Sequence, residues 1–368
     1  MVSCLLEKAR LSPDLRYAAI SYAWGDQPAT REILVNGAAF PVTENLASGL
    51  WHFRKYGITP RGPSDEIPLW IDAVCINQDD IPDRNEQVSM MRSIYSGASY
   101  AVAWLGIPAG RRDIGECLRL MKDFAASLPA DLKSTVVATY DTGGNKSWEH
   151  WGAEFSQKGL DWIAARPELH DDGASDSPPA AWSSFRELTR PPYWERVWVL
   201  QERVLSKSFT SSLFRVGGDL ATLVDLLLFF HLIVLLDREG RRPPQIGRYA
   251  WKANASPFHM PIVHPVLRLR DIGEMGRAYP EFVVWAASFC RASDPRDMVY
   301  GALGVLNMRL RPDYSKSVRE VYLEWHEKLV EERVARNMRG TCWSLPLAAQ
   351  GWGCTGITPI TYPRGYRT

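Results

Sequence analysis

Trp198 and Glu202, four residues apart in the run WVLQE, are the sharpest chemical candidates in the chain. On a helix, positions i and i+4 share a face, so Trp198 would set an aromatic wall beside the Glu202 carboxylate. A carboxylate so placed can stabilise positive charge developing on a substrate, and an indole can stack on a flat ring. The plainer alternative is a core Trp198 with Glu202 paired to Arg196 or Arg203. Asp72 is the second candidate, because it ends the apolar run Ile67 to Ile71. Open α/β sheets bind ligands beyond the carboxyl ends of their strands. Asp also caps the backbone of a following loop readily, so a pocket carboxylate and a capping residue both stay open. Ser21 and Tyr22 face opposite sides of a strand, and one of them points to the pocket mouth. Cys75 has no His near it in sequence and reads as a partly buried thiol. The cluster Asn77-Gln78-Asp79-Asp80 has metal-ligand chemistry but reads better as a polar loop before a helix. Asp294-Pro295-Arg296-Asp297 reads as a helix start, with proline and acids in its first turn.

These residues need elements to position them. Residues Leu69 to Gly106 give a short apolar run, a polar loop, an amphipathic segment with Val88, Met91, Ile94 and Tyr95, and a second apolar run from Tyr100 to Leu105. Strand, loop, helix, strand is a βαβ unit, which builds parallel sheets. Upstream, Tyr17 to Ala23 is strand-like, and Asn36-Gly37 between two apolar runs signals a hairpin. Thr43 can cap a helix from Glu44 to about Tyr56. Downstream, helices are expected over Arg111 to Leu128, Trp182 to Leu188, Tyr193 to Val204, Leu220 to Leu236, Glu281 to Arg291, Arg296 to Leu306 and Val318 to about Arg336. Leu213 to Val216 is a short strand. Periodicity is weak from Pro129 to Pro179, and Asp171 to Pro179 reads as a surface loop.

Six ordered blocks carry a resemblance: YAAISYAWGD, VTENLASGL, LWIDAVCINQ with the E-Q-V-x-x-M-x-x-I-Y-x-x-A and WLG that follow it, RVWVLQE, SDPRDMVYGALGV and PDYSKSVREVY. Together they resemble the fungal heterokaryon-incompatibility (HET) domain. That resemblance implies a cytoplasmic protein of non-self recognition and programmed cell death, which self-associates and meets other death-signalling proteins. Trp198-x-x-x-Glu202 is also similar to the W-x-x-x-E signature of Toll/interleukin-1 receptor (TIR) domains, where the glutamate is catalytic in the members that hydrolyse NAD. SYAWGD, LWIDAV and YAVAWLG resemble the first three TIR strands in order. A catalytic Glu202 is implied, with Ser21, Tyr22, Trp24, Asp72, Arg196 and Trp198 around a bound NAD that is substrate rather than resident cofactor. Arg196 or Arg203 could pair with the pyrophosphate. Residues 107–190 stand where TIR domains have a short link. The alternative is a non-catalytic module that signals by oligomerising.

The expected fold is α/β: a mostly parallel central sheet with flanking helices, a TIR-like or flavodoxin-like core, and a helical C-terminal part. The expected organisation is a core over 1–217 with an insertion at about 107–190, helices over 218–338 and an irregular tail over 339–368. The 43 basic and 42 acidic residues leave a net charge of +1, which makes no electrostatic case for nucleic acid or an anionic membrane. None of the six cysteines forms C-x-x-C, so neither a structural zinc site nor another bound metal is expected. The N-terminus lacks the apolar core of a signal peptide. The longest apolar run, Leu220 to Leu236, is broken by Asp225 and His231 and reads as a buried helix rather than a membrane span. P-loop, H-E-x-x-H and G-x-S-x-G motifs are missing, and the G-x-G-x-x-G match at Gly351 to Gly356 reads as chance in a glycine-rich stretch.

Overall fold

The computed structural model describes residues 1–25, 28–107, 114–141, 152–170, 180–188, 192–208, 210–238, 290–306 and 308–335, together with Val283 and Ala287. In chain order, β1 (Ser3–Cys4) precedes β2 (Ala18–Tyr22) and the hairpin β3 (Arg31–Val35) and β4 (Ala38–Val42). Helix α1 (Glu44–Tyr56) leads to β5 (Leu69–Trp70), the single turn α2 (Asp72–Cys75), α3 (Ile81–Gly97) and β6 (Tyr100–Trp104). Four helices follow: α4 (Ile114–Ser127), α5 (Ala130–Asp141), α6 (Gly152–Ala164) and α7 (Ala180–Leu188). Then come α8 (Trp198–Val204), β7 (Ser212–Val216), β8 (Asp219–Thr222) and α9 (Leu223–Arg238). Helices α10 (Asp297–Leu306) and α11 (Val318–Ala335) complete the described chain.

All five residues of β2 are buried, the mark of a strand covered on both faces at the centre of a parallel sheet. The main sheet runs β5-β2-β6-β7-β8, with β2 parallel to both β5 and β6 and β6 parallel to β7. Two strands flank the first, one on each side, and the parallel four thus follow the flavodoxin-like order. Period-two alternation divides the faces. Ala18, Ile20 and Tyr22 pack with Leu46, Leu50 and Phe53 of α1, whereas Tyr17 and Ala19 pack with Met91, Ile94 and Tyr95 of α3. Ser21 therefore emerges on the α3 side and Tyr22 on the α1 side. The hairpin turns at Asn36 and Gly37, both at positive φ (51° and 82°), as the Asn-Gly pair requires. Thr43 caps α1 by accepting from the Leu46 amide. Strands β1, β3 and β4 form a separate small sheet.

Three expectations need correction. The stretch after Pro129 is not an unpatterned loop: α5 and α6 occupy it, and α6 crosses α9 closely enough that a Cβ on Gly159 would meet Leu232 Cδ1 at 2.0 Å. The helix expected over Tyr193 to Val204 is a 3-10 turn, Pro192–Glu195, and then α8. The break has a partner, since Val197 N–H bonds the Arg291 carbonyl and the Arg291 N–H bonds the Glu195 carbonyl. The run expected as helix from Leu220 begins instead as β8, antiparallel to β7, and Thr222 and Asp225 cap α9 reciprocally. Most of the helix expected at Glu281 to Arg291, the loop expected at Asp171 to Pro179, and the expected tail from Arg339 with its glycine motif lie outside the described residues.

Candidate active site

The carboxyl end of β2 opens into a cleft of about 710 Å³, within the roughly 300–1,000 Å³ usual for small-molecule sites. Trp24 and Gly25 follow β2, Asp72 follows β5, and Arg84 and Met91 come from α3. Arg196, Trp198 and Glu202 come from α8 and the residues just before it. The far wall is the segment Arg291 to Asp297 together with Tyr314. Glu202 and Asp72, distant in sequence, thus share one concavity, and so do Trp198 and Glu202 on one face of α8. Among the described residues, five carboxylates line the cleft (Asp72, Glu195, Glu202, Asp294, Asp297) against three guanidiniums (Arg84, Arg196, Arg291).

Glu202 lies at the floor, 1% exposed. Its Oε2 accepts a hydrogen bond from Ser21 Oγ, which also pairs with the Tyr193 hydroxyl at 2.8 Å. Alternation along β2 puts Ser21 there, and the bend before α8 puts Tyr193 beside it. Burial raises the Glu202 pKa, while Arg196 and Ser21 pull the other way and Asp72 adds to the rise. Burial likewise raises Asp72, opposed by Arg196 and by hydrogen bonds from Trp24, Ala73 and Tyr22. Arg196 donates through Nη1 to the Tyr22 carbonyl. Burial works against its charge, but Glu202 and Asp72 outweigh burial and hold its pKa up. The guanidinium between the two carboxylates thus opposes, without cancelling, the burial that favours their neutral forms.

Asp72 lines the cleft and opens α2. Its Oδ1 accepts the amide of the next residue, Ala73, at 2.7 Å, and its Oδ2 accepts the Trp24 indole N–H at 2.8 Å across the cleft mouth. Tyr22 is buried on the α1 face, with its hydroxyl engaged by Asp72 and its pKa raised by burial. Trp198 donates its indole N–H to Asp297 Oδ2 at 3.1 Å. Arg203 is a correction: it does not reach the cleft. Its Nη1 donates to the carbonyls of Ala101 and Leu213 and to Ser212 Oγ, at 3.1, 3.2 and 3.1 Å, so it ties α8 to β6 and β7.

Asp297, which reads in the sequence as part of a helix start, lines the cleft, and so do Tyr314 and Arg84, with Arg84 at 3.6 Å over the Tyr314 ring. The blocks carrying them, SDPRD and PDYSK, were visible as motifs, but which face they present is a matter of tertiary packing. The cluster Asn77 to Asp83 is spent on capping, with Asp80 accepting from the Asp83 amide and Asp83 from the Asn77 amide. Cys75 accepts weakly from the Ile71 amide, and burial raises its pKa, so its thiolate is disfavoured. Among the described residues no group of three His, Cys, Asp or Glu could hold a metal ion, and no helix is long and apolar enough to cross a membrane.

A strand order of the flavodoxin type with a carboxylate-rich cleft at its switch point defines an α/β protein with a candidate site where such folds bind ligands. The profile of the heterokaryon incompatibility protein (HET) family matches residues 17–202, half of the chain, and the chain belongs to that family. Heterokaryon incompatibility protein 6, OR allele, of Neurospora crassa is 27% identical over 343 residues, which cover 85% of this chain and 47% of that protein. The chain thus spans about half the length of this curated relative. No solved structure matches it.

Proposed function

We propose that this HET-family protein acts in heterokaryon incompatibility by cleaving the nicotinamide–ribose bond of NAD, with Glu202 as the catalytic carboxylate. The family membership and the N. crassa relative support the biological role. The observation that carries the chemistry is the floor of the cleft: a buried glutamate held by Ser21, coupled to Arg196 and Asp72, and lying one turn from Trp198.

The bond breaks heterolytically. The nicotinamide nitrogen takes the electron pair and leaves neutral, so no general acid is needed. The ribose carbon becomes oxocarbenium-like, and the Glu202 carboxylate stabilises that charge at close range. Water then adds to the carbon and loses its proton, giving nicotinamide, ADP-ribose and one proton. Arg196 opposes the burial that raises the Glu202 pKa, and Trp24 and Trp198 offer indoles on which flat rings stack. The TIR resemblance adds an expectation that chains must self-associate to be active.

A second reading is a non-catalytic module that signals by oligomerising, with the Ser21–Glu202–Arg196 network as a structural strut. The 1% exposure of Glu202 favours it. Incubation of concentrated protein with NAD separates the two. The hydrolase releases nicotinamide and ADP-ribose at a rate rising faster than protein concentration, and Glu202→Ala, folded, releases none. Wild type that leaves NAD intact even when tethered into clusters sinks the hydrolase reading and leaves the strut.

A further inference from the structure

Asp297 opens α10, in a segment beyond the family-matched residues 17–202, yet it lines the same cleft as Glu202. Both of its carboxylate oxygens accept hydrogen bonds from cleft side chains. Oδ2 takes the Trp198 indole N–H at 3.1 Å, and Oδ1 takes the Tyr314 hydroxyl at 2.5 Å. Two donors aimed at the two oxygens are the pattern of an ionised carboxylate, which is acceptor only. Trp198 is partly buried against two apolar clusters and lines the cleft with the rest of its indole. The Trp24–Asp72 pair repeats the arrangement at the mouth. Among the described residues that line the cavity, five carboxylates face three guanidiniums, with Glu195 paired to Arg291 and Asp294 to Arg296.

We propose that Asp297 is the positioning residue of a subsite for a planar aromatic cation, with the Trp198 indole as its wall. This inference rests on the NAD reading, in which the nicotinamide ring of the intact substrate is that cation. The Asp297 hydrogen bond fixes the orientation of the indole, and an anionic acceptor at its N–H polarises the ring, enriching the negative face that attracts cations. The carboxylate charge adds a longer-range attraction in a low-dielectric site. A neutral ring of the same shape gains only stacking. The subsite therefore favours the substrate over the released nicotinamide, and its anchoring acid, Asp297, lies beyond the family-matched segment that carries Trp198.

The test is calorimetric binding of 1-methylnicotinamide, a cation, against neutral nicotinamide, to the full chain and two variants. Wild type should prefer the cation by roughly tenfold, the scale of a desolvated cation–π contact. Asp297→Asn keeps the shape: its amide oxygen can accept from Trp198 and its NH₂ can donate to Tyr314. It should lose the preference while binding nicotinamide as before, with its melting temperature held. Trp198→Phe, which has a ring but no N–H, should lose the preference too and serves if Asp297→Asn does not fold. Equal wild-type binding of the two probes, or a preference that survives either substitution, overturns the proposal. The readout is independent of turnover. Selective cation binding without NAD cleavage sustains this subsite and removes the hydrolase, whereas NAD cleavage with no cation preference does the reverse.

Discussion

Glu202 and Arg203 stand side by side on α8, the first 1% exposed at the floor of the cleft and the second wholly buried against the sheet. Arg203 donates through Nη1 to two backbone carbonyls and a serine, and so ties α8 to β6 and β7. Glu202 meets a hydroxyl, a neighbouring guanidinium and a second carboxylate, and its burial opposes its charge. One residue of helical rotation separates a charge that fastens the fold from a charge that the fold holds at a disadvantage. The same division runs through the aromatics. Phe124, Phe155, Trp162, Trp182 and Phe185 form a continuous set of ring contacts around Phe229 in the helical layer. Trp24 and Trp198 make no ring contact among the described residues and tie their N–H groups to carboxylates instead. Packed rings and paired charges build the fold, while open rings and uneasy charges gather at the strand ends.

Substitutions can break this contrast in order of size. Arg203→Met should cost about 3–5 kcal/mol of stability, because it removes the donor from buried carbonyls and a serine at once. Urea unfolding measures it, and a loss under 1 kcal/mol would place Arg203 with Glu202 rather than opposite it. Ser21→Ala should cost about 1–3 kcal/mol, the usual loss when a buried charged acceptor forfeits its donor. That cost should grow with pH, since only the ionised Glu202 needs the hydroxyl.

The pH dependence carries a definite sign. Burial raises Glu202, Asp72 and Asp297 above their unfolded values, so the native state binds protons more readily over that window. Their contribution is complete below the unfolded carboxylate range and declines as pH climbs through the folded values. Glu202→Gln deletes one of these groups, so its melting temperature should fall less steeply with rising pH than that of wild type. Parallel slopes would show that Glu202 has an ordinary pKa. The smallest effect belongs to the mouth: Trp24 is 37% exposed, and Trp24→Phe should change stability by less than about 1 kcal/mol. A larger loss in thermal unfolding would make the Trp24–Asp72 bond a structural clasp.

Local chemistry made much of the fold legible. Strand β2 and the β5-to-β6 unit announce themselves as apolar runs around an amphipathic helix, and the Asn36-Gly37 turn and the Thr43 cap follow from positive φ and an orphan amide. Helix α6 was hidden because Gly159 lowers its propensity, and only the close approach of Leu232 explains why glycine is there. Helix α5, with Thr135, Val136 and Val137 in its middle, suffers likewise from β-branching. Of the site, Glu202, Trp198 and Asp72 were nameable from type and spacing, on a helical i, i+4 pair and at a strand end, whereas Trp24 and the cleft role of Arg196 came from the resemblance. Arg203 was indistinguishable from Arg196 by sequence, because which side of α8 faces the sheet depends on β7, which comes later in the chain. Asp297 looked like a helix-opening acid, and it is one. Its bond to Trp198 spans 99 positions and has no local signature.

The most direct measurement is nicotinamide release from NAD per folded molecule, for wild type, Glu202→Gln and Arg203→Lys side by side. The account predicts that Glu202→Gln stays folded and loses at least about 10²-fold in rate, the scale of one electrostatic contact in a transition state. Arg203→Lys should turn over like wild type once the folded fraction is corrected for. If Glu202→Gln keeps wild-type turnover, or if the loss follows Arg203 instead, Glu202 is not the catalytic carboxylate and the contrast across α8 fails.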